Sequence, residues 1–541
     1  MSAEGSRSGC VSDAFLLVLH SHLPFVRGAG RWPHGEEWLH EAILGTYLPL
    51  LVALHDLRED GVPYRVTIGL TPTLLEQLAH PEIRARFIEY IDDQIARADQ
   101  DRAVSSATGA RRELAEFYAR TYRSLREAFL LRFGSDVPAA FADLTATGHA
   151  EILTSAATHG YLPLLDEASV RRQLSAGVAT TRRITGVDPT GIWLPECAYG
   201  PGLEALLEEQ GIDHFFTDAP LLGGAGVSRR PRGDATARPS RGVLSGAVRP
   251  LDEATCGSAG LSDVSCPYLV GESGVAVIAR HPRISGQVWS AEVGYPGDPA
   301  YREFHRKDDS SGLRYWRVTD RRTEPGAKHA YDVGGAAERV RVHAAHFAQL
   351  VREELTAARA RTGTSAMVAA TFDSELFGHW WFEGVDWLAV VLRDLCDISA
   401  TSAELLATRP ATSRLTLREG SWGKRSDHST WLNDDTDWMW NELRRMAAGL
   451  PALGPPANDG LHARAARQAA RELLLAQSSD WPFLVTTGQA RDYAIERFRT
   501  HATRFDRAAA IARQGTAADE PELGSLERMD DVFPAASLGT T

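Results

Sequence analysis

The side chains able to do chemistry in this chain gather just after short apolar runs. His20-Ser-His22 follows the first run and Thr71-Pro-Thr73 the second. The third carries Glu151 and leads into Thr158-His159-Gly160-Tyr161. The fourth ends in Trp193-Leu-Pro-Glu196-Cys-Ala-Tyr199, the fifth in Asp218, and the seventh in Asp373-Ser-Glu375-Leu-Phe-Gly-His379-Trp380-Trp381. Carboxylates, imidazoles and indoles aimed at one rim suit glycoside chemistry. A retaining mechanism needs two carboxyl groups about 5–5.5 Å apart, one as nucleophile and one as acid/base. Glu196 stands alone on its run, whereas Asp373 and Glu375 sit two apart, and spacing does not choose between those two. Aromatic rings beside them offer stacking platforms for the apolar faces of sugars.

Plainer readings compete. A glutamate after a strand can be a cap or an ion-pair partner. His20 and His22 could approach a metal, but no third ligand with zinc spacing follows, so hydrogen bonding is the expected role and no metal is expected. His343 and His346 fall within a helical stretch and read as a packed or solvated face. Trp387 reads as core. No Walker, G-x-S-x-G or H-E-x-x-H pattern occurs.

Seven strands are predicted to carry that rim: Ala14–His20, Arg65–Leu70, Ala150–Thr154, Thr190–Leu194, His214–Asp218, Val275–Arg280 and Met367–Phe372. Helical periodicity falls between most of them, as in Glu167–Ile184, Gly202–Gln210 and Ala336–Arg361. Continuous apolar strands alternating with helices predict an α/β fold with a parallel sheet, here a (β/α) barrel one unit short of eight. Such barrels place chemistry at the C-terminal ends of their strands. Residues about 80–148 read as a helical insertion, and about 221–266 as a long lid loop without Phe, Trp or Tyr. After Cys396 the strands are expected to stop. Ala400–Ala407, Asp437–Ala448, Leu461–Ala476 and Thr487–Arg513 read as helices. The expected organisation is thus a disordered 1–12, a catalytic barrel over 13–396, an α-helical domain over 397–513 and a disordered acidic tail over 514–541.

Composition narrows the partners. The chain has 541 residues, 58 Lys+Arg against 71 Asp+Glu, and a formal charge of −13. Only Lys307, Lys328 and Lys424 are lysines. An acidic chain without a basic block is a poor ligand for nucleic acid or anionic membranes. No apolar run approaches the ~20 residues of a membrane span, and Phe15–Leu19 is too short for a secretory core. Five scattered cysteines (Cys10, Cys197, Cys256, Cys266, Cys396) form no CxxC, which fits a reducing cytoplasm. The 13 tryptophans are enriched late: seven lie between Trp380 and Trp440.

Several segments together resemble the family 57 glycoside hydrolases, and among them the α-1,4-glucan branching enzymes. They are His20-Ser-His-Leu-Pro-Phe-Val-Arg27, Gly148-His-Ala-Glu-Ile-Leu-Thr154, Trp193-Leu-Pro-Glu-Cys-Ala-Tyr199 and Asp373-Ser-Glu-Leu-Phe-Gly-His-Trp-Trp-Phe-Glu-Gly384. Gln287-Val-Trp-Ser290, Glu419-Gly-Ser-Trp-Gly423, Asp427-His428, Trp431-Leu-Asn433 and Asp480-Trp-Pro-Phe483 add to them. The resemblance implies an incomplete (β/α)₇ barrel with a helical C-terminal domain, and neither metal nor organic cofactor. It implies Glu196 as nucleophile and Asp373, rather than Glu375, as acid/base. It places His20 and His22 along the sugar subsite at the cleavage point, with Glu151 and His159 in or near it. Trp32, Trp289, Trp380, Trp422 and Trp431 are expected along the glucan groove, with Asp427 and His428 beside them.

The implied reaction cleaves an α-1,4 linkage and passes the glucan chain to a sugar 6-hydroxyl, forming an α-1,6 branch with retention. The partner is then an α-1,4-glucan such as glycogen or amylose. The nearest alternative is an α-1,4-glucan hydrolase with weak branching, because the lid loop lacks the aromatic residue that branching enzymes of this type close over the cleft. A zinc-dependent deacetylase or mannosidase on a related barrel, and a non-catalytic glucan-binding protein, are the more distant readings.

Overall fold

The computed structural model describes residues 13–30, 34–104, 109–223, 263–290, 292–320, 322–454 and 460–534. Residues 1–12, Trp32 and most of the 221–266 loop, with its arginines, lie outside the described residues.

All seven expected strands form. They are β1 (Ala14–Ser21), β2 (Val66–Leu70), β3 (Ala150–Leu153), β4 (Gly191–Ile192), β5 (His214–Asp218), β7 (Ala276–Arg280) and β8 (Met367–Asp373). All eight residues of β1 are buried, as expected of a strand covered on both faces. β1 pairs in parallel with β2 on one side and β8 on the other; β2 pairs with β3, β4 with β5, and β5 with β7. Two joins are thin. A lone bridge between Thr154 and Ile192 links β3 to β4. Across the last seam, the His281 N–H donates to the Ala369 carbonyl at 2.8 Å. The strands therefore follow one another around a barrel-like ring whose ladder is not continuous.

Two short strands depart from the reading of the sequence. β6 (Tyr268–Val270) runs antiparallel along Ala276 and Val277 of β7, and β9 (Arg414–Leu415) pairs with β6. Strands thus do not stop at Cys396. Where β7 diverges from β8 its edge would be left unpaired, and β6 covers it.

The covering helices follow from amphipathic spacing. In the helix Val333–Thr362, Ala336, Val340, His343, Phe347, Val351 and Leu355 are buried at intervals of three and four. Asp332 caps its first turn, and Gly363, at φ 71°, ends it in the left-handed region. The 80–148 stretch is helical over Pro81–Ala103, Gly109–Glu127 and Val137–Ala146. Phe87, Tyr118 and Phe141 from these helices share one apolar core with β1 and β2.

Toward the C-terminus, helices Asp437–Gly449, Leu461–Ala476, Asp480–Thr487 and Arg491–Gln514 pack around Trp431, Trp440, Trp481 and Phe498. The expected disordered tail is corrected over its described part. Glu520–Met529 is a helix whose Leu523 and Leu526 are buried, and Val532 and Phe533 are buried after it. Its acidic, Gly- and Pro-containing composition hides an apolar pair at i, i+3 that pins it to the helices before it. Among the described residues, no helix is long and apolar enough to cross a membrane.

Candidate active site

The rim of the strands assembles most of the expected groups. Asp373 ends β8 and is in register with His20 on β1. Glu196 sits in the turn Pro195–Cys197 after β4, at φ 62°. Cys197 and His159 also have positive φ, at 49° and 56°. Three non-glycine residues in this region at one rim mark backbone strain of the kind found where side-chain direction matters for function.

Glu196 is held at both oxygens. Trp422 Nε1 donates to Oε2 at 2.8 Å, and Ser479 Oγ donates to Oε1 at 2.8 Å. The Trp422 N–H also donates to the Glu196 carbonyl at 3.1 Å. Behind this pair lies a chain of histidines. His159 Nδ1 is 2.8 Å from Ser479 Oγ, and His159 Nε2 is 3.1 Å from His20 Nε2. Because the single Ser479 proton goes to Glu196, His159 Nδ1–H must donate to Ser479, and His159 Nε2 accepts from His20. Burial and neighbouring imidazoles hold both His20 and His159 far below their usual pKa, in the neutral state this chain needs.

His22 stacks on His159 at 3.9 Å between ring centroids. Its Nε2 meets Asp480 at 3.0 Å and its Nδ1 meets Thr71 Oγ1 at 3.1 Å. Burial opposes its charge, but Asp480 above all, with Glu196 and Glu375, raises its pKa. These imidazoles are stacked and their nitrogens largely taken by protein partners. Among the described residues, the one cluster compact enough for a metal is Glu472, His501 and Asp530, in the helical C-terminal region.

The carboxyl groups differ in setting. Burial, reinforced by the Glu375 and Glu196 charges, pushes Asp373 well above the usual carboxylate range against the pull of Arg280. Burial also raises Glu196, but the Trp422 and Ser479 hydrogen bonds and the His22 charge pull it back. Glu375 is pushed up to about 7 by burial; it accepts from Tyr47 Oη and from the His22 N–H at 3.1 Å. Arg280, ending β7, is bonded to Asp218 of β5 at 2.9 Å and lies 5.7 Å from the Trp422 ring. The arrangement can thus keep one carboxyl protonated while another is ionised, which is what acid/base and nucleophilic roles require.

Other expected site residues lie elsewhere. Glu151 belongs to the opposite, N-terminal end of the strands, which corrects its expected place near the sugar. It accepts from Ser402 Oγ at 2.6 Å, from Thr67 Oγ1 at 3.1 Å and from the Ala403 N–H at 3.1 Å. It also lies 3.3 Å from Nε2 of His214, a fully buried residue at the start of β5. Burial works against the His214 charge, yet Asp213 and Glu151 hold its pKa up to about 9. Trp431 is corrected too: at 1 % exposure it stacks on Tyr161 at 4.6 Å inside the helical core. Its place in a Trp-Leu-Asn segment gave no hint of burial. Asp427 caps its own turn, accepting from Ser429, and His428 joins Tyr161 Oη to Glu419, each at 2.8 Å. Trp289 and Trp380 are half-buried, Trp380 lying 4.3 Å from the Phe304 ring. Ser479 and Tyr47 carry contacts that no spacing along the chain announced, and Thr71 and Asp480, which stood in segments singled out in the sequence, had no contact assigned there.

The comparisons agree with this geometry. A model of glycosyl hydrolase family 57 matches residues 16–401, and one described as 1,4-alpha-glucan branching enzyme, C-terminal, matches residues 442–538. The 1,4-alpha-glucan branching enzyme of Thermococcus kodakarensis is 38% identical over 95% of this chain and 76% of its own length. Its crystal structure superposes with a TM-score of 0.88 at 36% identity, covering 97% of this chain and 96% of that one. A probable 1,4-alpha-glucan branching enzyme of Mycobacterium tuberculosis is 33% identical over 97% of both chains. The alpha-amylase AmyC of Thermotoga maritima superposes with a TM-score of 0.81 at 29% identity, covering 97% of this chain and 98% of that one. With a family model matching residues 16–401 and relatives similar over nearly all of this chain, this chain belongs to glycosyl hydrolase family 57.

Proposed function

We propose that this protein is a 1,4-alpha-glucan branching enzyme working by retaining double displacement. The observation that carries the mechanism is the unequal treatment of two rim carboxyls. Asp373 is driven toward its protonated form, while Glu196 receives two hydrogen bonds that favour its ionised form. In the first step Asp373 donates its proton to the leaving glycosidic oxygen as Glu196 attacks the anomeric carbon, giving a covalent glucosyl-enzyme. In the second step Asp373 takes the proton of an acceptor 6-hydroxyl, whose oxygen displaces Glu196 from the same carbon. The product is an α-1,6 branch with the anomeric configuration retained.

The substrate is an α-1,4-glucan, and a neutral polymer fits the acidic chain and the absence of a basic stripe on its sequence. Transfer needs water kept from the intermediate and the acceptor positioned. The half-buried indole of Trp422, beside Glu196, and Trp289 and Trp380 are the rings assigned to the groove. Five scattered cysteines without a CxxC support a cytoplasmic location.

A second reading, α-glucan hydrolysis, is favoured by the likeness to the AmyC amylase and by the 221–266 loop, which has no aromatic residue. Incubation with amylose separates the two. Branching produces new α-1,6 linkages with no matching rise in reducing ends. Reducing ends without α-1,6 linkages would establish the hydrolase instead.

A further inference from the structure

A second cavity, of about 550 Å³, lies on the far side of the helix that carries Tyr47. That volume falls within the ~300–1,000 Å³ of small-molecule sites. Its floor is the π-helical turn Ile43–Tyr47 and the Gly378-His379 segment that follows Asp373; its far wall is the helices Pro81–Ala103 and Gly109–Glu127. None of Glu196, Asp373, His20, His22 or Trp422 lines it. The turn and the loop touch backbone to backbone: a Cβ on Gly378, at φ 96°, would stand 1.8 Å from the Gly45 carbonyl oxygen.

The walls combine rings, cations and carboxylates, the last being Glu37, Glu41, Asp56 and Asp386. Tyr90, Tyr122, Phe117 and Phe382 supply aromatic surface. Arg302, Lys307 and Arg314 supply positive charge. Lys307 pairs with Glu41 at 3.2 Å. Among the described residues, neither Arg302 nor Arg314 makes an ion pair. Arg302 lies 3.7 Å over the Phe382 ring, its Nη1 donates to Tyr118 Oη at 3.5 Å, and its buried Nε has no partner. Arg314 gives its Nε to the Phe304 carbonyl at 2.7 Å, leaving the rest of its fork uncommitted to any carboxylate. The other cations at the rim are matched, Arg97 with Asp93 and Arg393 with Asp60. Burial and the surrounding arginines and lysine also keep His379 neutral, its pKa lowered to about 4. Glu41 lies near half-buried Arg314 and Glu383 near half-buried Arg302, but neither carboxylate closes to ion-pair distance, so donors of both forks stay free for an oxyanion that accepts from both.

We propose that this cavity is a binding site for a small phosphorylated sugar, with Arg302 and Arg314 gripping the phosphate and Tyr90 and Tyr122 facing the sugar ring. The site is separate from the glucan groove, and its occupancy does not depend on which reaction the groove catalyses. A ligand here would press on the turn that carries Tyr47 and on the loop following Asp373.

Calorimetric titration of the full chain with glucose 6-phosphate, inorganic phosphate, glucose and maltotriose tests this. The expected result is saturable glucose 6-phosphate binding that weakens at least about tenfold in Arg314→Gln, at unchanged melting temperature. Lys307→Gln, at an exposed position, should weaken it less and serves if Arg314→Gln fails to fold. No binding of glucose 6-phosphate at millimolar concentration overturns the proposal. Equal affinity for inorganic phosphate overturns it in favour of a plain anion hole. Binding that neither variant disturbs, or that glucose and maltotriose match, overturns it in favour of a neutral-sugar site.

Discussion

Ser479 donates a hydrogen bond to Glu196 Oε1 at 2.8 Å, so the helical C-terminal region directly holds a carboxylate positioned by β4. The bond is the last link of a chain in which His20 donates to His159, His159 to Ser479, and Ser479 to Glu196. Each link fixes the direction of the next, and the carboxylate receives a proton donor where a free hydroxyl could point either way.

Ser479→Ala removes that donor from the ionised form of Glu196. The Glu196 pKa should rise, so the acidic limb of kcat/KM moves to higher pH. A hydrogen bond to a charged group is worth about 1.5–3 kcal/mol, which corresponds to a rate loss of roughly ten- to a hundredfold. The pH–rate profile checks it; an unmoved acidic limb would mean that the bond does not tune Glu196.

Glu375→Gln removes a like charge next to Asp373. Asp373 is raised, so its acid role is present at low pH and is lost as pH climbs through its pKa. Without the Glu375 charge that pKa falls, and the basic limb should move to lower pH. A basic limb that stays in place would assign the titration to another group.

Glu151→Ala should behave as a stability mutation. It strips the buried His214 of a carboxylate partner, a loss of the order of 3–5 kcal/mol for a buried pair, while KM for glucan stays unchanged. The raised His214 pKa makes this contribution complete below about pH 6.5 and lost as pH rises toward 9. Chemical denaturation of both proteins at two pH values measures it. A large rise in KM at unchanged stability would return Glu151 to the substrate site.

Trp422→Phe and Trp431→Phe should separate two tryptophans that the sequence treats alike. Trp422→Phe deletes the Nε1 donor to Glu196 and should lower kcat by roughly tenfold or more, without loss of stability. Trp431→Phe empties part of the helical core and should cost about 1–3 kcal/mol of stability with little change in KM. Paired kinetics and melting curves distinguish them, and a reversed pattern would contradict both placements.

The barrel was legible because its strands are apolar on both faces and read as unbroken runs, β1 most clearly. The rim positions of Glu196 and Asp373 were legible because each follows such a run, although spacing left Asp373 and Glu375 level and only the resemblance separated them. Ser479 and Asp480 were not: they approach Glu196 and His22 from 283 and 458 residues away, and only the packing of the C-terminal helices brings them in. Glu151 misled because residues at opposite ends of one short strand look adjacent in sequence, although they face opposite ends of the barrel. Trp431 misled because the resemblance alone placed it in the groove, and its polar sequence neighbours do not reveal its burial. The 514–534 stretch misled because its composition is polar while its few apolar residues are well placed.

On the proposed mechanism, Glu196 carries the glucan between donor and acceptor. An Asp373→Asn variant given an α-glucosyl fluoride can still form the intermediate, since fluoride leaves without an acid, but lacks the base to discharge it. Mass spectrometry of the digested protein should then find a glucosyl adduct on the peptide carrying Glu196. An adduct on Glu375, or β-configured product with no adduct at all, would contradict the mechanism.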